Sequence, residues 1–312
     1  MSPFVAEFLL GNIAIDGIVA LPLLAPMYGG GALLIREITR RTSRGWPTII
    51  GLGVAYSVWE EAMVTQLLFN PSYHGLSLSG AIVPWLGISA TQMINIVTLH
   101  TVWSVAVSIG LVELFFPAKR AKPWLGWFGF LCAWLLFLLG SAFISYSEFQ
   151  ESGFFASAWQ LASGLVAVAI LVLVAFTLPH KKQLNSTVLS PRPWLVLIAS
   201  LASTSLFMIL LFELLPGWFG VLAWAVLVLA SIRLIAVWSQ RPGWGDWHQW
   251  ALVAGALLTY AWSSFPQQPM IGTAGSVDLF GNTVFALVGM SLIVLASPAF
   301  GKFATINRNA ES

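Results

Sequence analysis

The chain has 312 residues, of which 58% are hydrophobic and only 8% charged, and its mean hydropathy is +0.85. A soluble domain carries about 25% charged residues, so this composition excludes a soluble enzyme, a disordered chain, a disulfide-rich secreted module and a nucleic-acid binder. It points to an all-α polytopic transmembrane helix bundle, one integral-membrane domain over residues 1–312 whose first partner is the lipid bilayer.

Crossing the hydrocarbon takes roughly 20 apolar residues. Nine runs satisfy this, at about 4–35, 47–69, 84–116, 124–147, 154–178, 194–214, 218–238, 248–265 and 277–300. The opening MSPFVAEFLL has no basic stretch and no small-residue cleavage site, so no removable signal peptide is expected. The first run contains Asp16, Pro22, Pro26 and Gly29-Gly30-Gly31, which are breaker signals. It reads as one kinked span, an interfacial helix followed by a span, or two short spans. The third run carries Pro84 and Gly87 near its outer end, which predicts that 84–91 lie flat in the interface.

The basic residues fix the orientation. Arg36, Arg40, Arg41 and Arg44 follow the first run, and Lys119, Arg120 and Lys122 follow the third. Lys181, Lys182 and Arg192 follow the fifth, Arg233 and Arg241 surround the end of the seventh, and Lys302 and Arg308 follow the ninth. All 14 Lys and Arg residues therefore fall on one side of an alternating scheme. Under the positive-inside rule this sets the N-terminus outside and the C-terminus inside, in a plasma or inner membrane. Trp46, Trp85, Trp124, Trp127, Trp194, Trp218, Trp244, Trp247 and Trp250 stand near predicted span ends, as interfacial anchors do. Single Cys132 excludes an internal disulfide and a multi-cysteine metal site.

An ionisable group inside a span costs about 2.5–3.5 kcal/mol on insertion scales and usually faces a cavity or a partner. The second run holds the adjacent pair Glu60 and Glu61, roughly 20 Å from the basic side by helical rise. Neighbouring helical positions differ by about 100°, so the two carboxylates are expected to point apart. The third run, antiparallel to the second, brings His100 about 15–18 Å below the outer surface, a matching depth. Asn95, Thr65 and Ser104 are supporting polar groups, and Trp59 and Trp103 flank the pair and could wall a pocket.

Arg36-Glu37 reads as interfacial snorkelling or a local ion pair, and Glu113 as a structural group at the inner interface. Asp16 is the remaining acid that could join the glutamates. Ser200, Ser203, Thr204 and Ser205 read as helix-packing hydroxyls. Zinc would need about three ligands. Only His100, and His74 from an outer loop, could join a glutamate, with His180 and His248 on inner loops and no HExxH present. No cofactor is therefore assigned, and no nucleotide motif or hydrolase elbow occurs.

A Glu-Glu pair followed about 40 residues later by an intramembrane His resembles the CAAX-protease and bacteriocin-processing (CPBP) family of intramembrane proteases. Glu60-Glu61 match that family's EExxxR, with Thr65 in place of the Arg, and His100 matches its FxxxH, with Ile96 in place of the Phe. The third motif, HxxxN or HxxxD, is absent unless His100-xxx-Ser104 is its degenerate form. The resemblance implies a glutamate-dependent peptidase with Glu60, Glu61 and His100 as catalytic residues. Glutamate would activate water, and His100 would polarise the scissile carbonyl of a membrane-embedded peptide. The alternatives are a proton-coupled transporter of a small solute, with the same residues as a relay, and a non-catalytic membrane scaffold.

Overall fold

The computed structural model describes residues 1–73, 76–77, 80–178, 187–211 and 217–300. His74, His180, Lys181, Lys182, Lys302 and Arg308, singled out above, lie outside the described residues. The helices are α1 (Ala20–Arg41), α2 (Trp46–Trp59), α3 (Ala90–Leu99), α4 (Ser108–Phe115), α5 (Trp127–Ser152), α6 (Ala158–Thr177), α7 (Pro193–Leu211), α8 (Gly217–Ser239), α9 (Asp246–Ser263) and α10 (Ser276–Leu295). Two π-helical stretches extend them. Glu60–Val64 continues α2, and His100–Val107 joins α3 to α4 as one rod over Ala90–Phe115.

Among the described residues, six helical rods are long and apolar enough to cross a bilayer: Ala90–Phe115, α5, α6, Pro193–Leu210, α8 and α10. The other three helices fall short for local reasons: α1 ends on Arg36, Glu37, Arg40 and Arg41, α2 with its π-helical extension carries Glu60 and Glu61, and α9 opens on Asp246-Trp247-His248-Gln249. Only 11% of the apolar window of α6, and of α8, is buried inside the protein. Leu165, Ile170 and Leu173 on α6 and Leu222, Val226 and Leu229 on α8 all face outward. Such faces are stable against lipid and costly against water, at about 25 cal/mol per Å². Trp85, Trp127, Trp194 and Trp218 are exposed beside helix ends, as a membrane-interface belt requires.

The first apolar run breaks earlier than its prolines suggest. Phe4–Phe8 form a π-helical turn, Ile15–Gly17 a 3-10 turn, and α1 then continues unbroken through Pro26 and Gly29–Gly31. Pro22 lies in the first turn of α1, where the missing N–H breaks no intrahelical bond. The glycines serve close packing. A Cβ on Gly31 would lie 2.4 Å from the Tyr56 ring, and one on Gly140 of α5 would lie 2.6 Å from the Met27 backbone nitrogen.

Residues 84–91 are not one continuous stretch: a hairpin ends at Ser89 and a helix begins at Ala90. Strands β3 (Ile82–Val83) and β4 (Ile88–Ser89) form that antiparallel hairpin in the register Ile82↔Ser89 and Val83↔Ile88. Ser89 then caps α3, its hydroxyl accepting from the Gln92 N–H at 3.2 Å. Another two-residue pair, β1 (Ser72–Tyr73) and β2 (Leu76–Ser77), precedes it.

Asp16 does not join the glutamates. Its exposed carboxylate accepts from the Thr273 N–H at 3.1 Å, and Thr273 holds it below the usual carboxylate range. The same seam includes Ala14 N–H to Ile271 O at 2.9 Å and Met270 N–H to Asn12 O at 2.8 Å. It fastens the segment before α1 to the α9–α10 connection.

At the basic end, Arg36 is buried rather than snorkelling. It pairs with Glu37 (3.1 Å) and Glu113 (3.2 Å), donates to the carbonyls of Lys119, Arg120 and Lys122, and lies 3.4 Å over the Trp124 ring. Arg40 closes a two-oxygen pair on Glu113 at 2.8 and 3.0 Å. The α7 hydroxyls do pack helices: Thr204 reaches Thr259 of α9 at 2.6 Å and Ser200 donates to Leu252 O at 2.8 Å.

The α1–α5 approach gives a direct test. Gly140→Ala should lower the melting temperature of the detergent-solubilised protein by the equivalent of about 1–3 kcal/mol, the usual cost of overpacking. Gly29→Ala, whose added Cβ meets nothing within 4 Å, should not. Equal melting of the two variants would contradict this packing.

Candidate functional site

The site forms where the two π-helical stretches face each other. α2 climbs about 21 Å from Trp46 before Glu60, and α3 descends about 15 Å from Ala90 before His100. Ser57, one turn below the glutamates, pins the rods together. Its hydroxyl lies 2.8 Å from Gly53 O, 3.2 Å from Val97 O and 3.2 Å from Thr101 Oγ1. Gly53 keeps the backbones close, since a Cβ there would meet the Thr101 methyl at 3.3 Å.

Both carboxylates converge on one imidazole. His100 Nδ1 is 3.0 Å from Glu60 Oε2, and His100 Nε2 is 2.8 Å from Glu61 Oε1. The expectation that adjacent glutamates point apart fails for two reasons. They open a π-helical stretch, with Thr65 N–H bonded to Glu60 O at 2.9 Å, so α-helical angular spacing does not apply. In addition, the imidazole offers a nitrogen on each edge, so one ring can receive two carboxylates arriving from different directions. Glu60 is 0% exposed, Glu61 3% and His100 8%.

The surrounding groups complete the cluster unevenly. Thr65 Oγ1 donates to Glu61 Oε2 at 2.9 Å, and Ser104 Oγ lies 3.0 Å from His100 Nδ1. Glu7, a residue the sequence reading passed over, enters from the Phe4–Phe8 turn. Its Oε1 accepts from Tyr28 Oη at 2.6 Å and its Oε2 from Asn12 Nδ2 at 3.1 Å. The Tyr28 and Tyr56 hydroxyls both stand beside Glu60. Ser2 Oγ donates to Ser104 O at 2.7 Å, which keeps this segment against the rod carrying His100.

Two buried groups remain unmatched. Neither Glu60 oxygen receives an aligned hydrogen bond, so the 3.0 Å approach of Nδ1 is an electrostatic contact, and the Tyr56 hydroxyl has no hydrogen-bond partner either. An acceptor and a donor thus sit side by side, neither held by an aligned hydrogen bond. Glu60, Glu61 and His100 also offer ligand atoms within 4.8 Å of one another, a spacing compatible with one metal ion.

The flanking tryptophans serve other helices. Trp59 Nε1 donates to Ser141 of α5 at 3.3 Å, and Trp103 Nε1 donates to Ala256 O of α9 at 2.9 Å while its ring stacks on Tyr260 at 4.2 Å. Asn95 is half-buried, and its Oδ1 has no hydrogen-bond partner. His248 is explained by packing: Nδ1 accepts from the Gly245 N–H and Nε2 lies 2.8 Å from Pro191 O.

Over residues 1–298 the chain matches, and belongs to, the family described as an uncharacterized membrane protein family. That assignment overturns the CPBP resemblance, which rested on Glu60, Glu61 and His100 alone. Buried carboxylates and an imidazole at matching depth are a solution open to any polytopic protein, so three residues do not carry a family. No curated protein and no solved structure matches the chain.

The cluster makes a stability prediction. His100→Ala strands two carboxylates in one buried site and should cost about 3–5 kcal/mol, as breaking a buried pair does. Combining it with Glu61→Gln should recover part of that loss in thermal unfolding. Strict additivity of the two substitutions would contradict the coupling.

Proposed function

We propose that this member of the uncharacterized membrane protein family is an intramembrane hydrolase acting on a bilayer-embedded amide substrate. The proposed topology has nine crossings, with the segment before α1 on the outer face of a cell membrane and α10 returning the chain to the basic side. The alternation of basic and non-basic connections supports that topology.

One observation carries the hydrolytic reading: the buried Glu60 carboxylate with the Tyr56 hydroxyl beside it, neither of them held by an aligned hydrogen bond. Water placed against Glu60 loses a proton to it as its oxygen attacks the substrate carbonyl carbon. Tyr56 donates to the oxyanion that forms. When the C–N bond breaks, the proton on Glu60 passes to the leaving nitrogen, which leaves an acid, an amine and the original carboxylate. His100 has a carboxylate at each nitrogen, which suits a charge partner for Glu60 better than an oxyanion donor.

The test uses the full chain in proteoliposomes with a panel of synthetic single-span peptides bearing a fluorophore and quencher. Glu60→Gln should reduce cleavage about 10²–10⁴-fold, and Tyr56→Phe about 10²–10³-fold. Cleavage at the wild-type rate by Glu60→Gln would overturn the assignment. The imidazole engaged at both nitrogens favours a second reading, a proton relay in a carrier. That reading predicts proton flux into vesicles abolished by His100→Gln, with no peptide cleaved.

A further inference from the structure

We propose that Glu60, Glu61 and His100 hold one divalent first-row metal ion of the zinc class. The inference supplies a cofactor to the hydrolytic centre just described and rests on that reading of the same side chains.

Charge is the first argument. Glu60, Glu61 and Glu7 bring three carboxyl groups into one region, and among the described residues no Lys or Arg ion pair reaches them. One imidazolium carries a single positive charge. A divalent ion neutralises Glu60 and Glu61 outright and leaves His100 neutral, the form in which it ligates.

The donor set is the second argument. Two carboxylate oxygens and one imidazole nitrogen within 4.8 Å of one another make a hard-to-borderline N/O set. Zinc takes such atoms at about 2.0–2.2 Å. Three protein ligands with a remaining open position is the arrangement of catalytic rather than structural zinc.

The third argument is what the atoms already touch. Glu60 is fully buried, and although His100 and the Tyr28 and Tyr56 hydroxyls stand beside it, neither oxygen is held by an aligned hydrogen bond. Glu61 and His100, by contrast, are steadied from outside the triad by Thr65 and Ser104, as metal ligands are oriented by an outer layer of hydrogen bonds. Glu7 belongs to that outer layer, since both of its oxygens are taken, by Tyr28 and Asn12. An ion bound through one oxygen of Glu60 leaves the other to receive the proton of a metal-bound water.

The test measures binding without turnover. Full-length protein in detergent is stripped with chelator, then titrated with Zn²⁺ or with Co²⁺, whose visible absorption reports low-symmetry coordination. Wild type should bind about one ion per chain and melt at a higher temperature with Zn²⁺ present, because the ion binds only the folded state. Glu60→Gln, Glu61→Gln and His100→Gln should each lose the Co²⁺ band and the Zn²⁺-dependent melting shift. Thr65→Val, which keeps all three ligands, should weaken binding about 10–100-fold. His248→Gln should bind as wild type. Wild type without a Co²⁺ band and without a Zn²⁺ melting shift would overturn the proposal, as would retention of both by Glu60→Gln and His100→Gln. Peptide cleavage that persists in metal-free protein would remove the ion and spare the hydrolase. Stoichiometric zinc with no cleavage would do the reverse.

Discussion

Two carboxylates buried beside each other inside a membrane protein impose the constraint around which this structure is arranged. Unpaired, each would cost several kcal/mol. The chain answers with one imidazole placed between them, 3.0 Å from Glu60 and 2.8 Å from Glu61. That answer works only if the helix bearing the glutamates and the rod bearing His100 are held in fixed register. Ser57 and Gly53 supply the register from one side, and Thr65 and Ser104 steady the Glu61 and His100 side chains themselves.

The two ends of the bundle keep that register from drifting. At the end away from the basic loops, the segment before α1 is tied to the α9–α10 connection through Asn12, Ala14 and Asp16, and it delivers Glu7 to Tyr28 on the way. At the basic end, buried Arg36 gathers Glu37, Glu113 and three loop carbonyls. A charge so buried is sustained by those acceptors and by the Trp124 ring beneath it. α1 carries both Tyr28 and Arg36 and therefore couples the seam at one end to the clamp at the other.

Much of this was legible in the sequence because membranes make polar residues expensive. Glu60, Glu61 and His100 stand out from apolar runs, and counting helical rise, from the basic side for the glutamates and from the opposite surface for His100, put them at matching depth. Glu7 carries the same signal, an acid inside FVAEFLL, yet Asp16 drew the attention because it sits among breaker residues. The convergence of both glutamates was not legible, because it depends on π-helical turns that leave no composition mark. The glycine run of α1 reads as a break from sequence alone. Only the neighbouring Tyr56, Phe137 and Gly140 show it to be a surface for close approach. The hairpin at 82–89 likewise depends on pairing that periodicity does not register. Three chemically obvious residues were enough to locate the site and too few to name a family.

The central claim is that His100 stands between Glu60 and Glu61 in the buried interior of the protein. Solid-state NMR of ring-¹⁵N-histidine protein in lipid, with the His100 resonances assigned through His100→Gln, tests it most directly. Glu60→Gln should shift chiefly the Nδ1 resonance and Glu61→Gln chiefly the Nε2 resonance of His100. Two substitutions that leave both nitrogens where they are in the wild-type spectrum would show that the three side chains do not meet.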